Sequence, residues 1–426
     1  PRHFDTAFRR ALPFEPTADQ QRAFVLLARE LAAGRPLRRL LQGDVGCGKT
    51  AVLAYACAHA ALAGAQAAFL APTELLAGQH WIGMRGLFAA LGVECALLTA
   101  STPAAERAAL VARLARAEPL IVLGTHALLA PGIRFARLAL VAIDEQQRFG
   151  VAQRQRLLDK GQHAHLLLAT ATPIPRTLAL SLYGELEPLV LRDKPAGRGA
   201  LSTRRIERAA LARLQPWLAE RLADDQRAYW VLPRIDAAAG GRGVEQAVAE
   251  LSRGPLGAHG IGLVHGRVPA DERARAFERF RAGELRLLVG TSLLEVGLDV
   301  PQATCIVIEG AERFGLAQLH QLRGRVGRGP RESWCFVAES EGIDAASRER
   351  LDLFARESDG FKIAELDLEL RGMGELVGLR QAGPNREGLA GPGIDLSLWQ
   401  LAREWISADE RLRERYLGSA TRVSLA

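Results

Sequence analysis

Gly43-Asp44-Val45-Gly46-Cys47-Gly48-Lys49-Thr50 lies between an apolar run, Leu37–Leu41, and an alanine-rich segment, and this placement decides how the first half of the chain is read. The apolar run has the composition of a buried strand and the alanine-rich segment that of a helix, so the octet is the turn between them. Its residues stand at the GxxxxGKT spacing of a phosphate-binding loop. Glycine lets successive backbone N–H groups turn inward around an anion, and the helix N-terminus adds its partial positive charge. Lys49 is placed to reach terminal phosphates and Thr50 to ligate magnesium, with Gly43, Asp44, Gly46 and Gly48 forming the cradle.

A second apolar run, Leu138–Ile143, ends in Asp144-Glu145-Gln146-Gln147. Two acids leaving the carboxyl edge of a parallel sheet stand where ligands of such sheets gather. Taken alone, an acidic pair after a strand is a solvated strand end. Behind a phosphate loop it has a chemical reading: Asp144 holds magnesium and Glu145 orients and deprotonates an attacking water.

Outward from these two points, short Val/Leu/Ile/Ala runs alternate with longer Ala/Leu/Arg segments, the rhythm of parallel strands joined by helices. The first half has candidate strands at Leu37–Leu41, Ala67–Ala71, Leu120–Leu123, Leu138–Ile143 and His165–Leu168. The second has them at Ala228–Leu232, Ile261–Val264, Leu285–Val289, Cys305–Ile308 and Cys335–Val337. Between the halves, Arg192–Ala200 has the Pro/Gly content of a linker. The expected division is therefore an α/β lobe over 1–195, a second over 196–345, and a charged helical appendage over 346–426. Pro1–Phe14 carries charges and aromatics without a full helical period and is expected to be a tail cut from something larger.

At 426 residues and 48% hydrophobic, the chain can bury more than one core. Its net charge of +7 permits a polyanionic partner without requiring one. The positive charge is almost all arginine, as a GC-rich genome would give, with Lys49, Lys160, Lys194 and Lys362 the only lysines. Five widely spaced cysteines without metal-ligand spacing read as reduced residues of a cytosolic protein. Charges interrupt every long apolar stretch, which argues against membrane insertion.

The ordered motifs resemble those of a superfamily-2 helicase. The phosphate loop and DEQQ are followed by Thr170-Ala-Thr-Pro-Ile-Pro-Arg176, then by Thr291-Ser-Leu-Leu-Glu-Val-Gly-Leu-Asp-Val-Pro301 and Gln318-Leu-His-Gln-Leu-Arg-Gly-Arg-Val-Gly-Arg328. Phe14, Thr17 and Gln20 resemble that family's adenine-reading element, and Ala71–Gln79 and Gly124–Ala127 its strand-contacting elements. The resemblance implies two tandem RecA-like parallel-sheet lobes, ATP and Mg2+ between them, and Arg325 and Arg328 reaching across the cleft as arginine fingers. It implies nucleotide contacts from Gln20, Gln321 and Asp299. Thr73, Thr125, Arg267 and Thr291 become candidates for the DNA backbone, and Thr170 and Thr172 for coupling.

Three further stretches resemble the branch-migration helicase family RecG: Arg227–Val231, Leu263–Arg267, and Asp359–Leu376 with its extension to Gly383. In that family the last is a helical hairpin and loop that levers duplex DNA, which would engage Arg371 and Gln381. The resemblance implies a DNA translocase acting on branched or duplex DNA, monomeric because one chain carries both half-sites, cytoplasmic and nucleoid-associated. A transcription-repair coupling translocase, an RNA helicase and a nucleotide-dependent binding module without turnover are the other readings. Two departures stand out: Gln147 replaces the family's histidine, and the amino-terminal wedge is expected to be missing. Gln147 can still donate and accept a hydrogen bond towards Thr170 and Thr172, so ATPase activity is expected to persist.

Overall fold

A computed structural model of the chain describes residues 2–161, 163–170, 186–233, 243–291 and 300–371. Its strands form two separate sheets in which every pairing is parallel.

The first sheet contains β1 (Arg38–Gly43), β2 (Gln66–Leu70), β3 (Cys95–Leu98), β4 (Leu120–Gly124), β5 (Leu138–Ile143), β6 (His165–Thr170) and β7 (Glu187–Leu191). Their spatial order is β3-β4-β2-β5-β6-β1-β7. Its helices are α1 (Arg2–Ala11), α2 (Ala18–Leu31), α3 (Lys49–Leu62), α4 (Glu74–Ala90), α5 (Ala104–Ala115) and α6 (Val151–Leu158). Alternation along the strands feeds a core on each face: Phe69 joins Phe24, Tyr55 and Phe88 on one, whereas Leu70 joins Val122, Val141 and Leu168 on the other. A parallel sheet covered on both faces explains why its central strands read as uninterrupted apolar runs.

The second sheet contains β8 (Leu201–Glu207), β9 (Arg227–Val231), β10 (Ile261–Val264), β11 (Leu287–Gly290), β12 (Ala303–Glu309) and β13 (Ser333–Glu339), in the order β10-β11-β9-β12-β13-β8. Helices α7 (Ala210–Ala223), α8 (Val244–Arg253), α9 (Ala270–Ala282) and α10 (Leu316–Arg323) accompany it, followed by α11 (Ala345–Arg356) and α12 (Gly360–Arg371). Trp230 is fully buried in β9, and its indole N–H donates to Glu309.

Two expectations are corrected. The first residues, expected to lack a full helical period, form a helix: α1 lies on the first lobe, with Phe4 and Phe8 each 5.0 Å from the Tyr55 ring and Phe8 fully buried. An i, i+4 pair suffices to anchor a helix this short, although it is too little to register as a period. Nor is the segment from residue 346, so far as it is described, an appendage: Leu351 and Phe354 of α11 and Ile363 of α12 belong to the second lobe's core. Among the described residues no helix is long and apolar enough to cross a membrane, and no cluster of three or more His, Cys, Asp or Glu could hold a metal ion. All five cysteines are free.

Candidate nucleotide site between the lobes

β1 runs straight into the glycine-rich loop, and α3 begins at Lys49. Gly46 and Gly48 take φ of +80° and +83°, the left-handed region that bends the loop at little steric cost only for glycine. The Lys49 ammonium donates to the carbonyls of Gly43 at 2.7 Å and Asp44 at 2.9 Å. Gln20 supports the loop from behind. Its amide N–H group donates to Cys47 O at 3.0 Å and Gly48 O at 3.3 Å, while its carbonyl accepts from Thr17 N at 2.9 Å in the capping box that starts α2. The residue expected to read a base is thus fully buried here as a brace of the phosphate loop.

At the end of β5, Glu145 takes φ +50°, a strained conformation for a residue with a Cβ. Its N–H donates to Asp144 Oδ1 at 3.0 Å, and His80 Nε2 from α4 meets Asp144 Oδ2 at 3.0 Å. Burial opposes ionisation of Asp144, but the His80 ring, Lys49 and the Glu145 N–H outweigh it and hold the carboxyl below its ordinary range. Gln147 connects this pair to the next strand: its amide N–H donates to Glu145 Oε2, and its carbonyl accepts from Thr170 Oγ1 at 3.3 Å. Thr170 is fully buried at the end of β6.

The second lobe faces this edge. Gly324, just after α10, lies so close to Val45 that a Cβ on it would stand 2.5 Å from the valine side chain. A cavity of about 540 Å³ opens beside this contact. Gly46, Gly48, Lys49, Thr50, Asp144 and Glu145 line it from the first lobe, and Gln321, Arg325 and Arg328 from the second. Apolar side chains also line it, among them Leu12, Phe14, Leu76, Met84 and Leu87. The size lies within the roughly 300–1,000 Å³ common for small-molecule sites, and a lining of both polar and apolar groups suits a nucleotide. Thr50 and Asp144, a hydroxyl and a carboxylate beside the phosphate loop, are a hard-oxygen donor set suited to Mg2+.

Other expected contacts are dispersed. Thr73 caps α4, accepting from Leu76 N at 3.3 Å, whereas Thr125 and Thr291 are buried at strand ends and Arg267 is exposed. Asp299, Thr172 and Gln381 lie outside the described residues, as does the side chain of Arg371. Sequence reading missed His80 and Arg198. The latter donates from the linker to Gly46 O at 2.7 Å and lines the cavity. A histidine on a helix and one arginine in an arginine-rich chain carry no local signal.

Comparison with known proteins agrees with this geometry. Residues 17–180 match the family "DEAD/DEAH box helicase" and residues 218–330 the family "Helicase conserved C-terminal domain". The ATP-dependent DNA helicase RecG of Treponema pallidum is 39% identical over 424 residues, 97% of this chain and 62% of that protein. That of Acidithiobacillus ferridurans is 44% identical over 374 residues, 87% of this chain and 54% of that protein. A solved structure of RecG bound to a three-way DNA junction superposes with a TM-score of 0.78 and 36% identity, covering 94% of this chain and 52% of that one. The chain thus spans between about half and three-fifths of these relatives' lengths. Across that span it carries both lobes in order, and it is similar to the RecG helicases.

Proposed function

We propose that the chain is an ATP-driven motor that translocates on duplex DNA and remodels branched DNA. The observation that carries this reading is the single cavity lined by Lys49, Asp144 and Glu145 from one lobe and by Arg325 and Arg328 from the other. Lys49 leaves its loop carbonyls to bind terminal phosphates, and Thr50 and Asp144 would hold Mg2+, which would neutralise phosphate charge. Glu145 orients the attacking water and accepts its proton. Arg325 and Arg328 stabilise charge developing on the transferred phosphoryl group, which ties hydrolysis to lobe closure. Gln147 relays the state of Glu145 to Thr170, whose strand leads towards the coupling residues.

Motion then comes from differential affinity of the open and closed lobes for substrate and product. DNA contacts fall on the backbone, since a motor must step over any sequence. Thr73, Thr125, Arg267 and Thr291 are the candidates in the described residues, with Thr172, Gln381 and the side chain of Arg371 beyond them. The similar RecG structure is bound to a three-way junction, and a branched substrate is proposed for this chain on that likeness. One chain supplies both half-sites, so it acts as a monomer, on chromosomal DNA in the cytoplasm.

Steady-state ATP hydrolysis without nucleic acid, then with single-stranded, duplex, forked and RNA ligands, tests the reading. Strong stimulation by duplex or forked DNA, absent in Lys49→Ala, is expected. Equal stimulation by RNA would overturn the DNA assignment, and no hydrolysis under any condition would leave a binding module.

A further inference from the structure

The side chain of Asp44 is engaged by the second lobe and by the linker. Only 5% exposed, it accepts through Oδ1 from His320 Nε2 on α10, while Oδ2 meets the Lys194 ammonium from the linker at 2.8 Å. Burial works against ionisation, but the hydrogen bond from His320 and the hydrogen bond and charge of Lys194 outweigh it and hold the Asp44 carboxyl well below the usual carboxylate range. The other ring nitrogen of His320, Nδ1, lies 2.8 Å from Arg323 Nη2. A guanidinium has only donors, so Nδ1 must accept and Nε2 must carry the hydrogen given to Asp44. A neutral ring of that one tautomer satisfies both neighbours, and His320 therefore connects a carboxylate in one lobe to a cation in the other.

Arg323 carries the connection onward. Buried under the Phe354 ring, it donates to the carbonyls of Glu357 at 2.7 Å, Phe354 at 3.3 Å and Ser358 at 3.3 Å, which lead from α11 into α12. The start of α12 is pressed against the same pair: a Cβ on Gly360 would lie 2.5 Å from His320 Nε2 and 3.0 Å from Asp44 Oδ1. Farther along, Asp367 accepts from Leu316 N at 3.1 Å, which fixes α12 to the first residue of α10. At the other end, the Asp44 carbonyl is one of the two that Lys49 occupies. Arrival of a triphosphate would draw Lys49 off the residue whose side chain holds His320.

We propose that His320 is a positioning residue that links the phosphate loop, through Asp44 and Arg323, to the 357–371 segment, so that the placement of α12 follows occupancy of the nucleotide cavity. The inference rests on the reading of that cavity as an ATP site. It assigns a role to a side chain that need not touch nucleotide or DNA.

Amide hydrogen exchange on the full chain, with and without a non-hydrolysable ATP analogue, tests it alongside ATP turnover. In the unaltered protein, the analogue should protect residues 43–50 and change exchange over 357–371. His320→Ala should keep the protection at 43–50 and lose the response at 357–371, with a roughly tenfold fall in DNA-stimulated turnover and no matching rise in the KM for ATP. His320→Gln, whose amide presents a donor and an acceptor like the two ring nitrogens, should restore both. Should His320→Ala fail to fold, Gly360→Ala, which forces α12 away from the pair, should lose the 357–371 response in its place. A full response at 357–371 in these variants, or none there in the unaltered protein despite protection at 43–50, overturns the relay. No protection at 43–50 in the unaltered protein overturns instead the ATP-site reading on which it stands.

Discussion

The two lobes repeat one strand order and use it differently. β3-β4-β2-β5-β6 in the first sheet has its counterpart in β10-β11-β9-β12-β13 in the second, and β1 and β8 take the next position in each. β1 is flanked on both sides, by β6 and β7, and delivers the phosphate loop. Among the described residues β8 is an edge strand, paired only with β13, and it leads into α7 with no such loop. The cradle and the acids are therefore concentrated at the edge of one sheet, and the matching edge of the other supplies arginines beside α10. On the proposed function, this asymmetry would let the first lobe bind and the second complete, with ground-state affinity and transition-state stabilisation on different bodies.

The largest effects should come from the second lobe. Arg325→Ala or Arg328→Ala should lower kcat by about 10³-fold, the lower end of what arginine fingers contribute, with the dissociation constant for nucleotide changed little. Lys49→Ala should lower turnover by roughly 10²–10³-fold and weaken nucleotide binding as well. Stopped-flow binding of a fluorescent ATP analogue separates the two classes. If the arginine variants lose binding as severely as Lys49→Ala, the division of labour between the lobes is wrong.

A smaller effect sharpens the comparison inside the first lobe. His80 holds Asp144 Oδ2 at 3.0 Å from a helix outside the loop and strand motifs. Outer partners of metal-holding groups typically contribute 10–100-fold in metal affinity or activity. His80→Ala is therefore expected to raise the Mg2+ concentration for half-maximal hydrolysis by about tenfold, with most activity recovered at saturating Mg2+. An unchanged requirement would reduce His80 to a filler of space beside Phe69, whose ring is 4.9 Å away.

The same contrast governs what was legible in the sequence. The phosphate loop and the acid pair are local, and so were read residue by residue. β5 and β10 were read with their observed bounds, since four to six consecutive apolar residues need no partner to be recognised. The strands overlooked, β3, β7 and β8, are all edges. A sheet edge is only half covered, so its residues need not be apolar, and Leu201–Glu207, with a threonine and two arginines at its middle, looks like surface. The helix from Arg2 escaped for a related reason, as its apolar stripe is two phenylalanines long. In the site, the residues missed act at a distance in sequence: His80 on Asp144, Arg198 on Gly46, His320 on Asp44. No spacing rule reaches across 64, 152 or 276 positions. Folding alone brings them together.

Gln147 tests the smallest part of the asymmetry, the proposed link between the acids of the first lobe and Thr170. The resemblance to RecG led us to expect histidine there, and the structure gives glutamine two engagements, donating to Glu145 Oε2 and accepting from Thr170 Oγ1 at 3.3 Å. An imidazole has one donor and one acceptor when neutral and can satisfy the same two neighbours, though with fixed rather than rotatable spacing. Gln147→His should therefore retain hydrolysis while changing its stimulation by duplex DNA by roughly 2- to 30-fold, the span of couplings of 0.5–2 kcal/mol. Gln147→Leu, which can make neither bond, should lower stimulation further. The measurement is the ratio of turnover with and without DNA at saturating ATP. If that ratio is the same for glutamine, histidine and leucine, residue 147 belongs with the solvated end of β5 and carries no signal. Thr170 would then need another route to the acids, and the first lobe's two functions, binding phosphate and reporting hydrolysis, would have to share the phosphate loop alone.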